Sequence, residues 1–228
     1  KINHEYSGVA ASVDCNNRWV SLDPLRGSIA AVAESARNVS CVGALPVAIT
    51  NNLNFASPET EIGYWQLSSA CEGISMACEV LETPVTGGNV SLYNESIDDE
   101  GNKKPIQPTP VIGMVGVLDN VNKAISSGWK NINDEIWIIG SRDSGLTLGA
   151  TSYLEYFHGQ VTGRPPSLNL IDEKLCQLFI RNGILNNLII SSHDISDGGL
   201  AIALAEACIL SDKGASINLM ADKRIDSL

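Results

Sequence analysis

The sequence predicts an α+β (α/β) protein arranged in two lobes. Short apolar segments typical of strands alternate with longer segments whose apolar residues recur at helical spacing, which is the pattern of a sheet packed against helices. The composition changes near Asn120, where a polar stretch separates two such sets of elements. Apolar residues make up 44% of the chain and charged residues 18%, as in globular proteins that bury a core.

The first lobe is expected to begin with a short buried strand at 9–13, followed by a helix over 26–42 and a second strand at 45–50. Small apolar residues recur through the helix at helical spacing, at Ile29, Ala33, Ala36 and Val39. Gly43 is placed to end it. So many alanines on one face favour a helix that lies close against a sheet.

A long helix is predicted between Ser57 and Leu81. Ser57 offers a capping hydroxyl, and Pro58 suits the first helical position. Apolar residues then repeat every three or four positions as far as Leu81. Pro84 ends the helix because proline cannot continue it.

Three further segments complete the first lobe. A glycine-containing loop at 86–91 is expected to run into a strand at 90–93. Residues 98–108 are charged and contain proline, which indicates a surface loop. Residues 111–118 are apolar and predict a strand.

The boundary between the lobes is expected between 118 and 134. We therefore divide the chain into an N-terminal domain of residues 1–120 and a C-terminal domain of residues 121–228. The second domain is predicted to begin with a short polar helix. Its further elements are a strand at 135–140, helices at 171–182 and 200–211, and a strand at 188–191 between the helices.

The acidic composition limits the possible partners. The formal net charge is −11 and the isoelectric point is near 4.6, which argues against binding to nucleic acid or to an anionic membrane, since either needs a basic face. A nucleotide can still bind where Mg²⁺ and backbone N–H groups neutralise its phosphates locally.

The cysteines and the chain ends indicate a cytoplasmic protein and a longer parent. Six cysteines occur without a Cys-x-x-Cys pair, so we interpret them as reduced thiols rather than a disulfide framework or a zinc site. No apolar run approaches 18 residues, so a membrane span is not expected. The chain begins at Lys1 and stops at Leu228, and we interpret both ends as cuts in a longer protein.

The first candidate site lies within residues 86–95. Gly87 and Gly88 permit positive φ, so that consecutive backbone N–H groups can turn toward a phosphate. Asn89 offers a carbonyl oxygen suited to a hard cation such as Mg²⁺, and Ser91 offers a hydroxyl for a substrate or phosphate oxygen. The alternative is a structural glycine turn between helix and strand that Asn89 caps.

The second candidate site is a helix start at 192–200. Free N–H groups and the helix dipole favour an anion there. Asp194 and Asp197 would repel a bare phosphate, so a phosphate accompanied by Mg²⁺, or a structural N-cap by Ser196 or Asp197, fits better. His193 beside Asp194 could act as a general base, although a turn hydrogen bond is the more common reason for such a pair.

The third candidate site is the end of the strand predicted at 45–50. Asn51, Asn52 and Asn54 follow this strand, and the C-terminal ends of strands are common ligand positions in α/β folds. The alternative is a polar turn with the asparagines in left-handed conformations.

Taken together, these segments resemble the second half of the small PurL proteins, the synthetase subunits of phosphoribosylformylglycinamidine synthase. The similarity covers nearly the whole chain and keeps the family's order. The segment 86–95, TGGNVSLYNE, is the most specific part. The other matching segments are 14–18 (DCNNR), 23–24 (DP), 31–38 (AVAESARN), 50–55 (TNNLNF), 108–113 (PTPVIG) and 193–200 (HDISDGGL).

The resemblance implies a two-lobed aminoimidazole-ribonucleotide-synthetase-like fold. This chain would be the second of two copies and would lack its last portion. The implied function is a part in an ATP-dependent carbon–nitrogen ligase of de novo purine biosynthesis. That enzyme converts formylglycinamide ribonucleotide, ATP and glutamine-derived ammonia to formylglycinamidine ribonucleotide, ADP and phosphate. The substrate amide oxygen would be phosphorylated, and ammonia would displace the resulting leaving group.

The resemblance also implies roles for four residues, with ATP and Mg²⁺ as cofactors. Asn51 and Gly88 would contact ATP, Asn89 would bind Mg²⁺, and Ser91 would contact the substrate. The family often has aspartate at the position of Asn51, so this contact loses a charge. No catalytic residue is assigned, because the family's catalytic histidines lie in the first half.

The implied partners are the missing N-terminal half of the same protein, a separate glutaminase and a small accessory subunit. Sheet edges that the missing half would cover make a homodimer of the segment plausible. Two other functions stay open. The chain could come from another enzyme of the superfamily, such as aminoimidazole ribonucleotide synthetase or selenophosphate synthetase, or be a noncatalytic half that binds nucleotide structurally. The isolated segment is expected to be inactive.

Overall fold

The computed structural model describes residues 6–140 and 148–217. The N-terminal part contains six strands and three helices: β1 (Gly8–Asp14), α1 (Asn17–Leu22), α2 (Pro24–Cys41), β2 (Leu45–Asn54), α3 (Glu61–Leu81), β3 (Val85–Ser91), β4 (Glu95–Ile97), β5 (Lys103–Pro105) and β6 (Thr109–Leu118). A 3₁₀ helix follows at Val121–Lys123, and the remaining elements are helices α4 (Ser152–His158), α5 (Leu170–Leu185) and α6 (Gly199–Ser211).

Four strands form one mixed sheet in the order β1-β6-β2-β3. β6 pairs antiparallel with β1 and β2, and β3 pairs parallel with β2 at the edge. Helices α2 and α3 cover one face of this sheet, where the core forms around Val32, Ile49, Ile74, Ile112 and Met114. The predicted strands that correspond to β1, β2 and β6 are confirmed.

The opposite face of the sheet is open and apolar. The expectation of a buried first strand is therefore wrong for half of its side chains, since Val9 is 56% and Val13 is 72% exposed. Leu45 and Val115 are exposed on the neighbouring strands, and the strand register places them on the same face. We call Val9, Val13, Leu45 and Val115 the open face.

Helix α2 follows from local signals. The Asp23 side chain accepts a hydrogen bond from the Arg26 N–H, and Pro24 occupies the first turn, so the helix begins two residues before the prediction. Gly43, just past its end, has φ of +93°, which favours glycine. The predicted helix and its end are confirmed.

Helix α3 begins later than the sequence indicates. Thr60 is the N-cap, and its hydroxyl accepts from the Gly63 N–H. Ser57 belongs to the preceding turn, in which its carbonyl oxygen accepts from the Thr60 hydroxyl. The helix ends at Leu81 as predicted, with Glu82 in the left-handed conformation.

Strands β2 and β3 are longer than expected. Residues 86–91 form a strand rather than a loop, and the three asparagines at 51, 52 and 54 lie inside β2 rather than in a turn after it. Both corrections have one cause. β2 and β3 pair as parallel strands, so the backbone of each hydrogen-bonds to the other, although the paired residues lie 37 positions apart in the sequence.

The C-terminal part contains the predicted helices α5 and α6, but the expected strands at 135–140 and 188–191 do not form. Ser191 makes only an isolated parallel bridge to Ser126. A single strand leaves its backbone groups without partners, so strand-forming side chains alone are not sufficient. Trp137 in the first of these segments is 75% exposed.

Four short elements lie outside the predicted ones. Helices α1 and α4 contain six and seven residues, and β4 and β5 form a hairpin of three-residue strands within the expected surface loop. Elements of this length carry too few periods to be identified from spacing. In the parts of the chain that the structure describes, no helix combines the length and hydropathy needed to cross a membrane.

Candidate functional site

The pairing of β2 with β3 brings the amide and glycine motifs together. In the register of this parallel pair, Asn51 lies opposite Gly88, and Asn52 lies opposite Asn89. Two motifs that the sequence separates by more than thirty residues therefore form one polar region at the edge of the sheet.

The same register divides the predicted ligand residues between two faces. Asn51 pairs with the buried Ile112 of β6, which places Asn51 and its partner Gly88 on the face covered by helices. Asn89 lies on the open side, because successive residues of a strand alternate between faces. Ser91, two residues further along β3, shares the open side with Asn89.

Gly88 is required for a reason other than the predicted one. Neither Gly87 nor Gly88 has positive φ, so the backbone does not curl into a phosphate-binding turn. A Cβ on Gly88 would lie 2.1 Å from Asn51 Oδ1 and 2.6 Å from the Asn51 carbonyl oxygen. A Cβ on Gly87 would meet nothing within 4 Å. Close approach by Asn51 therefore makes Gly88 necessary and leaves Gly87 replaceable.

Asn51 also borders a groove of about 590 Å³ between α3 and the edge of the sheet. Cys71, Ser75 and Glu79 contribute from the exposed side of α3, and Val85 begins the opposite wall. The groove thus offers an amide, a hydroxyl and a carboxylate around an apolar floor. All six cysteines of the chain are free thiols.

On the open side, Asn89 keeps its carbonyl oxygen available. Its Nδ2 donates to Asn52 Oδ1 at 3.1 Å, which orients the side chain and uses only its amide nitrogen. The Ser91 hydroxyl instead donates to Asn94 Oδ1 at 3.1 Å, and Asn94 Nδ2 returns a bond to the Ser91 carbonyl oxygen at 2.8 Å. Ser91 can still accept a hydrogen bond through its free lone pairs.

The donor set around Asn89 fits one position of a hydrated Mg²⁺ ion. A neutral amide oxygen is a suitable hard ligand, and Mg²⁺ commonly keeps several waters and phosphate oxygens. Across residues 6–140 and 148–217, no group of three or more His, Cys, Asp or Glu side chains is arranged to hold a metal by itself. Any further charged ligands would have to come from the bound nucleotide or from another part of the protein.

The helix-start site lies elsewhere, in a cleft of about 3080 Å³ between the two parts of the chain. Helix α6 begins at Gly199, after Gly198 with φ of +89°, and no side chain caps it. The expected cap by Ser196 or Asp197 is therefore wrong. A glycine in the left-handed conformation sets the helix start instead.

Asp197 is used in an ion-pair network. It accepts from the Ser152 hydroxyl at 3.2 Å and lies 3.5 Å from an Arg18 nitrogen. Arg18 also donates to Glu155 at 2.7 Å and to the Ala150 carbonyl oxygen at 3.0 Å. Arg18 thus connects α1, α4 and the start of α6.

His193 is held between two acceptors. Its Nδ1 lies 2.7 Å from the Asp194 carbonyl oxygen, and its Nε2 lies 3.1 Å from Glu206 Oε2. Both ring nitrogens of His193 are therefore directed at acceptors of the protein itself. The geometry therefore favours the turn hydrogen bond over a general base.

A charge cluster between the two parts of the chain contains one residue of the predicted sites, Asp194, and several residues that no prediction named. Glu34 and Arg37, one turn apart on α2, face Asp194, and Arg37 donates to Glu173 of α5 at 3.0 Å. Asp14, at the end of β1, accepts from Asn38 at 2.9 Å and lies beside Glu34. Within α2, the sequence signal for this cluster is that Glu34 and Arg37 interrupt the small apolar residues.

Burial and neighbouring carboxylates perturb this cluster. Burial is the main cause that raises the pKa of Glu34 to about 7, and Asp14 adds to it. Arg37 lowers this pKa, and Asp194, which raises it, and the Ser196 hydroxyl, which lowers it, have smaller effects. Burial likewise raises the pKa of the adjacent Cys41 thiol to about 11. Oδ2 of both Asp14 and Asp194 is buried without a hydrogen-bond partner in the described residues.

Comparison with known proteins identifies the family. The AIR synthase related protein N-terminal domain matches residues 2–118, and the C-terminal domain of the same family matches residues 131–227. The chain belongs to the AIR synthase related family. The predicted two-lobed fold is confirmed by this match and by the solved structures below.

Two curated relatives within the family are PurL subunits of phosphoribosylformylglycinamidine synthase from Prochlorococcus marinus. The protein of strain MIT 9312 is 74% identical over 221 residues, which are 97% of this chain and 28% of the relative. The protein of strain SARG is 59% identical over 97% of this chain and 29% of the relative. The chain thus spans less than a third of the length of these relatives.

Two solved structures share the family's fold. Thermotoga maritima PurL, complexed with FGAR, has a TM-score of 0.58 and 26% identity over 89% of this chain and 28% of its own. Thiamine monophosphate kinase from Aquifex aeolicus has a TM-score of 0.54 and 20% identity over 90% of this chain and 63% of its own. The second likeness extends to the fold alone.

Proposed function

We propose that this chain is a segment of the PurL subunit of phosphoribosylformylglycinamidine synthase. It would contribute part of the site in which formylglycinamide ribonucleotide, ATP and ammonia give formylglycinamidine ribonucleotide, ADP and phosphate. The observation that carries this proposal is the 74% identity to a PurL subunit over 97% of the chain. Because the chain covers only 28% of that relative, the isolated segment is expected to lack ligase activity.

The edge of β3 is the proposed ligand-binding element. Asn51 and Gly88 lie on the helix side and Asn89 on the open side, so a ligand in contact with all three must pass along the edge between the faces. An edge strand presents backbone N–H and C=O groups that no neighbouring strand uses. These donors, with the Asn51 amide, suit the phosphate chain of ATP.

Asn89 and Ser91 are the proposed metal and substrate contacts. Asn52 holds the Asn89 amide so that its carbonyl oxygen can coordinate Mg²⁺, which when bound would neutralise the phosphates. Ser91 can accept from a substrate hydroxyl or N–H while it donates to Asn94. The helix-start residues His193, Asp194, Ser196 and Asp197 stay a prediction, and all of them except Ser196 take part in the contacts described above.

Replacing Asn89 with leucine tests the proposed metal contact. In the full-length protein, affinity for Mg-ATP is expected to fall about tenfold, equivalent to about 1.4 kcal/mol. Stability is expected to change by less than about 0.5 kcal/mol, because the side chain is exposed. Calorimetric titration with Mg-ATP and urea unfolding measure the two effects.

A matched control for that experiment is Asn122→Leu, an exposed asparagine of the 3₁₀ helix far from β3 in sequence. It is expected to leave affinity and turnover unchanged. If Asn89→Leu destabilises the protein and leaves nucleotide affinity unchanged, the noncatalytic scaffold becomes the better explanation. If the full-length protein turns over a different substrate of the superfamily, the ligase assignment fails.

We also propose the domain division of the chain at about residue 120. The last strand of the sheet ends at Leu118. The match to the family's N-terminal domain also ends at 118, and the match to its C-terminal domain begins at 131. These observations support domains of residues 1–120 and 121–228.

The open face is the proposed contact surface for the rest of the parent protein and, in its absence, for a second copy of this chain. Four apolar side chains lie exposed on one face of the sheet, and exposed apolar patches of this kind often mark contact sites. The glutaminase, the small accessory subunit and the cytoplasmic location stay predictions of the sequence.

Val13→Glu tests the open face. The isolated chain is expected to form a dimer at micromolar concentration, and a charge at the most exposed valine of β1 is expected to make it monomeric. Sedimentation velocity measures this, with Ile62→Glu on the exposed start of α3 as a control that should remain dimeric. A monomeric wild-type chain would disprove self-association through this face.

A further inference from the structure

Asn94 lies three residues after Ser91, where β3 has ended and the chain turns toward β4. Its backbone N–H donates to the Phe55 carbonyl oxygen at 3.1 Å, and its carbonyl oxygen accepts from the Ile106 N–H at 3.1 Å. The Phe55 N–H donates in turn to the Ser91 carbonyl oxygen at 3.0 Å. Because Phe55 is fully buried, these bonds hold the turn against the interior of the N-terminal part of the chain.

The side chain of Asn94 closes the same turn, and its neighbours fix its orientation. Nδ2 donates to the carbonyl oxygen of Ser91 at 2.8 Å and to that of Phe55 at 3.2 Å. Both carbonyl oxygens can only accept, so the amide atom that faces them must be the nitrogen. Oδ1 of Asn94 therefore faces the Ser91 hydroxyl, at 3.1 Å from its Oγ.

This orientation decides how Ser91 can meet a ligand. Oδ1 of Asn94 can only accept, so the single hydroxyl proton of Ser91 is donated to it. The lone pairs of Ser91 Oγ remain, and they suit a ligand group that brings its own proton. A phosphate oxygen, which the sequence suggested as one partner of Ser91, could receive a hydrogen bond only if the hydroxyl turned away from Asn94. Oδ1 would then lose its partner, at a cost in free energy.

We propose that Asn94 is a positioning residue that commits Ser91 to accept, so that Ser91 selects an O–H or N–H group of the substrate rather than a phosphate or carbonyl oxygen. This inference rests on the proposed function, because it refines the substrate contact assigned there to Ser91. Formylglycinamide ribonucleotide carries suitable donors in its ribose hydroxyls and its amide N–H groups. Ser91 would therefore distinguish one kind of polar group on this substrate from the other.

A double-mutant cycle in the full-length protein tests whether Asn94 acts through Ser91. Ser91→Ala removes the acceptor and is expected to weaken binding of formylglycinamide ribonucleotide about fivefold, as for one neutral hydrogen bond. Asn94→Ala frees the hydroxyl to turn and is expected to weaken binding about three- to fivefold. When residue 91 is already alanine, Asn94→Ala is expected to weaken binding by less than about twofold more. Calorimetric titration with formylglycinamide ribonucleotide measures all four proteins.

A structural role for Asn94 alone would give a different result. Asn186, the C-cap of α5, also donates its side-chain amide to a backbone carbonyl oxygen, that of Asn182, at 2.8 Å. Asn186→Ala is therefore the matched control, and it is expected to lower stability in urea and to keep the affinity for formylglycinamide ribonucleotide. If the loss of affinity caused by Asn94→Ala persists in full when Ser91 is alanine, Asn94 merely holds the turn and the proposal is overturned.

A crystal structure of the wild-type full-length protein with formylglycinamide ribonucleotide tests the same point even if Asn94→Ala fails to fold. Ser91 Oγ is expected to contact a hydroxyl or an amide nitrogen of the substrate and to keep its hydrogen bond to Asn94 Oδ1. A phosphate or carbonyl oxygen on Ser91 Oγ, or no substrate group there, would overturn the inference and leave the ligase assignment intact. A full-length protein that does not bind formylglycinamide ribonucleotide would instead refute the proposed function, and this inference with it.

Discussion

Arg37→Met is expected to destabilise the protein by about 3–5 kcal/mol, because it removes one partner of a buried ion pair. Arg37 and Glu173 have side chains that are only 20% and 10% exposed. Methionine keeps much of the length and apolar surface of arginine, so most of the loss would come from charge. Once Arg37 is replaced, Glu173 and Asp194 would remain between α2 and the C-terminal part of the chain without a cation to neutralise them.

Urea unfolding across a range of pH measures this loss and its cause. Arg37 lowers the pKa of Glu34, so its removal raises that pKa further, and the folded variant binds a proton over a wider range than the wild type. The difference in free energy of unfolding between the wild type and Arg37→Met is therefore expected to be largest above pH 7. It is expected to become smaller as the pH falls toward 5. If the loss of unfolding free energy did not depend on pH, its cause would be lost packing rather than uncompensated charge.

The control for Arg37→Met is Lys174→Met, which removes an ion pair of similar length on the surface. Lys174 contacts Glu82 at 3.1 Å, but the two side chains are 39% and 78% exposed, more than those of Arg37 and Glu173. Its loss is expected to cost less than about 1 kcal/mol. Comparable losses for the two variants would contradict the assignment of Arg37 to a buried cluster.

Gly88→Ala is expected to destabilise the protein by about 2–3 kcal/mol, within the range of overpacking in a closely packed site. The Asn51 amide can rotate away from a new Cβ, but the Asn51 carbonyl oxygen at 2.6 Å belongs to the backbone of β2 and cannot. The parallel pair would have to separate, and the proposed ATP contacts would move with it.

Gly87→Ala provides a control one residue away. It is expected to leave stability unchanged or to raise it by about 0.5 kcal/mol, because a strand residue other than glycine loses less conformational entropy on folding. Its Cβ would meet nothing within 4 Å, and its φ is not positive. Urea unfolding of both variants measures the difference, and equal effects at the two glycines would refute the close approach of Asn51 as the reason for Gly88.

Helices α2 and α3 could be predicted from the sequence because their signals are local. The Asp23-Pro24 start and the periodic alanines specify α2 within a span of 18 residues. Even the error at the start of α3 is local, since Ser57 and Thr60 are both good capping residues and only the backbone decides between them.

The first five residues of β3 could not be predicted as strand, because its two central glycines have low strand propensity, and the strand predicted at 90–93 overlaps β3 only at residues 90 and 91. β3 forms because β2 offers a parallel edge in register. The opposite error occurs at 135–140, where strand-forming side chains find no neighbouring strand. In both places, the presence of a pairing partner outweighs the preference of the residues themselves.

The candidate site shows the same division between local and distant effects. Asn51, Gly88, Asn89 and Ser91 could be chosen by residue type and motif, but the strand register sends the first two to the helix side and the last two to the open side. The Glu34 cluster could not be found by spacing, because its members come from β1, α2, α5 and the loop before α6, which meet only in the folded chain.

The sequence by itself determined the family, the main helices and the identity of the polar residues along β2 and β3, since these depend on residue type, spacing and short-range contacts. Only the tertiary structure decided which face each of those residues occupies, why Gly88 and not Gly87 must lack a side chain, and where carboxylates gather away from water. The physical reason is that strand pairing and the desolvation of charge depend on groups that are distant in sequence and become neighbours only on folding.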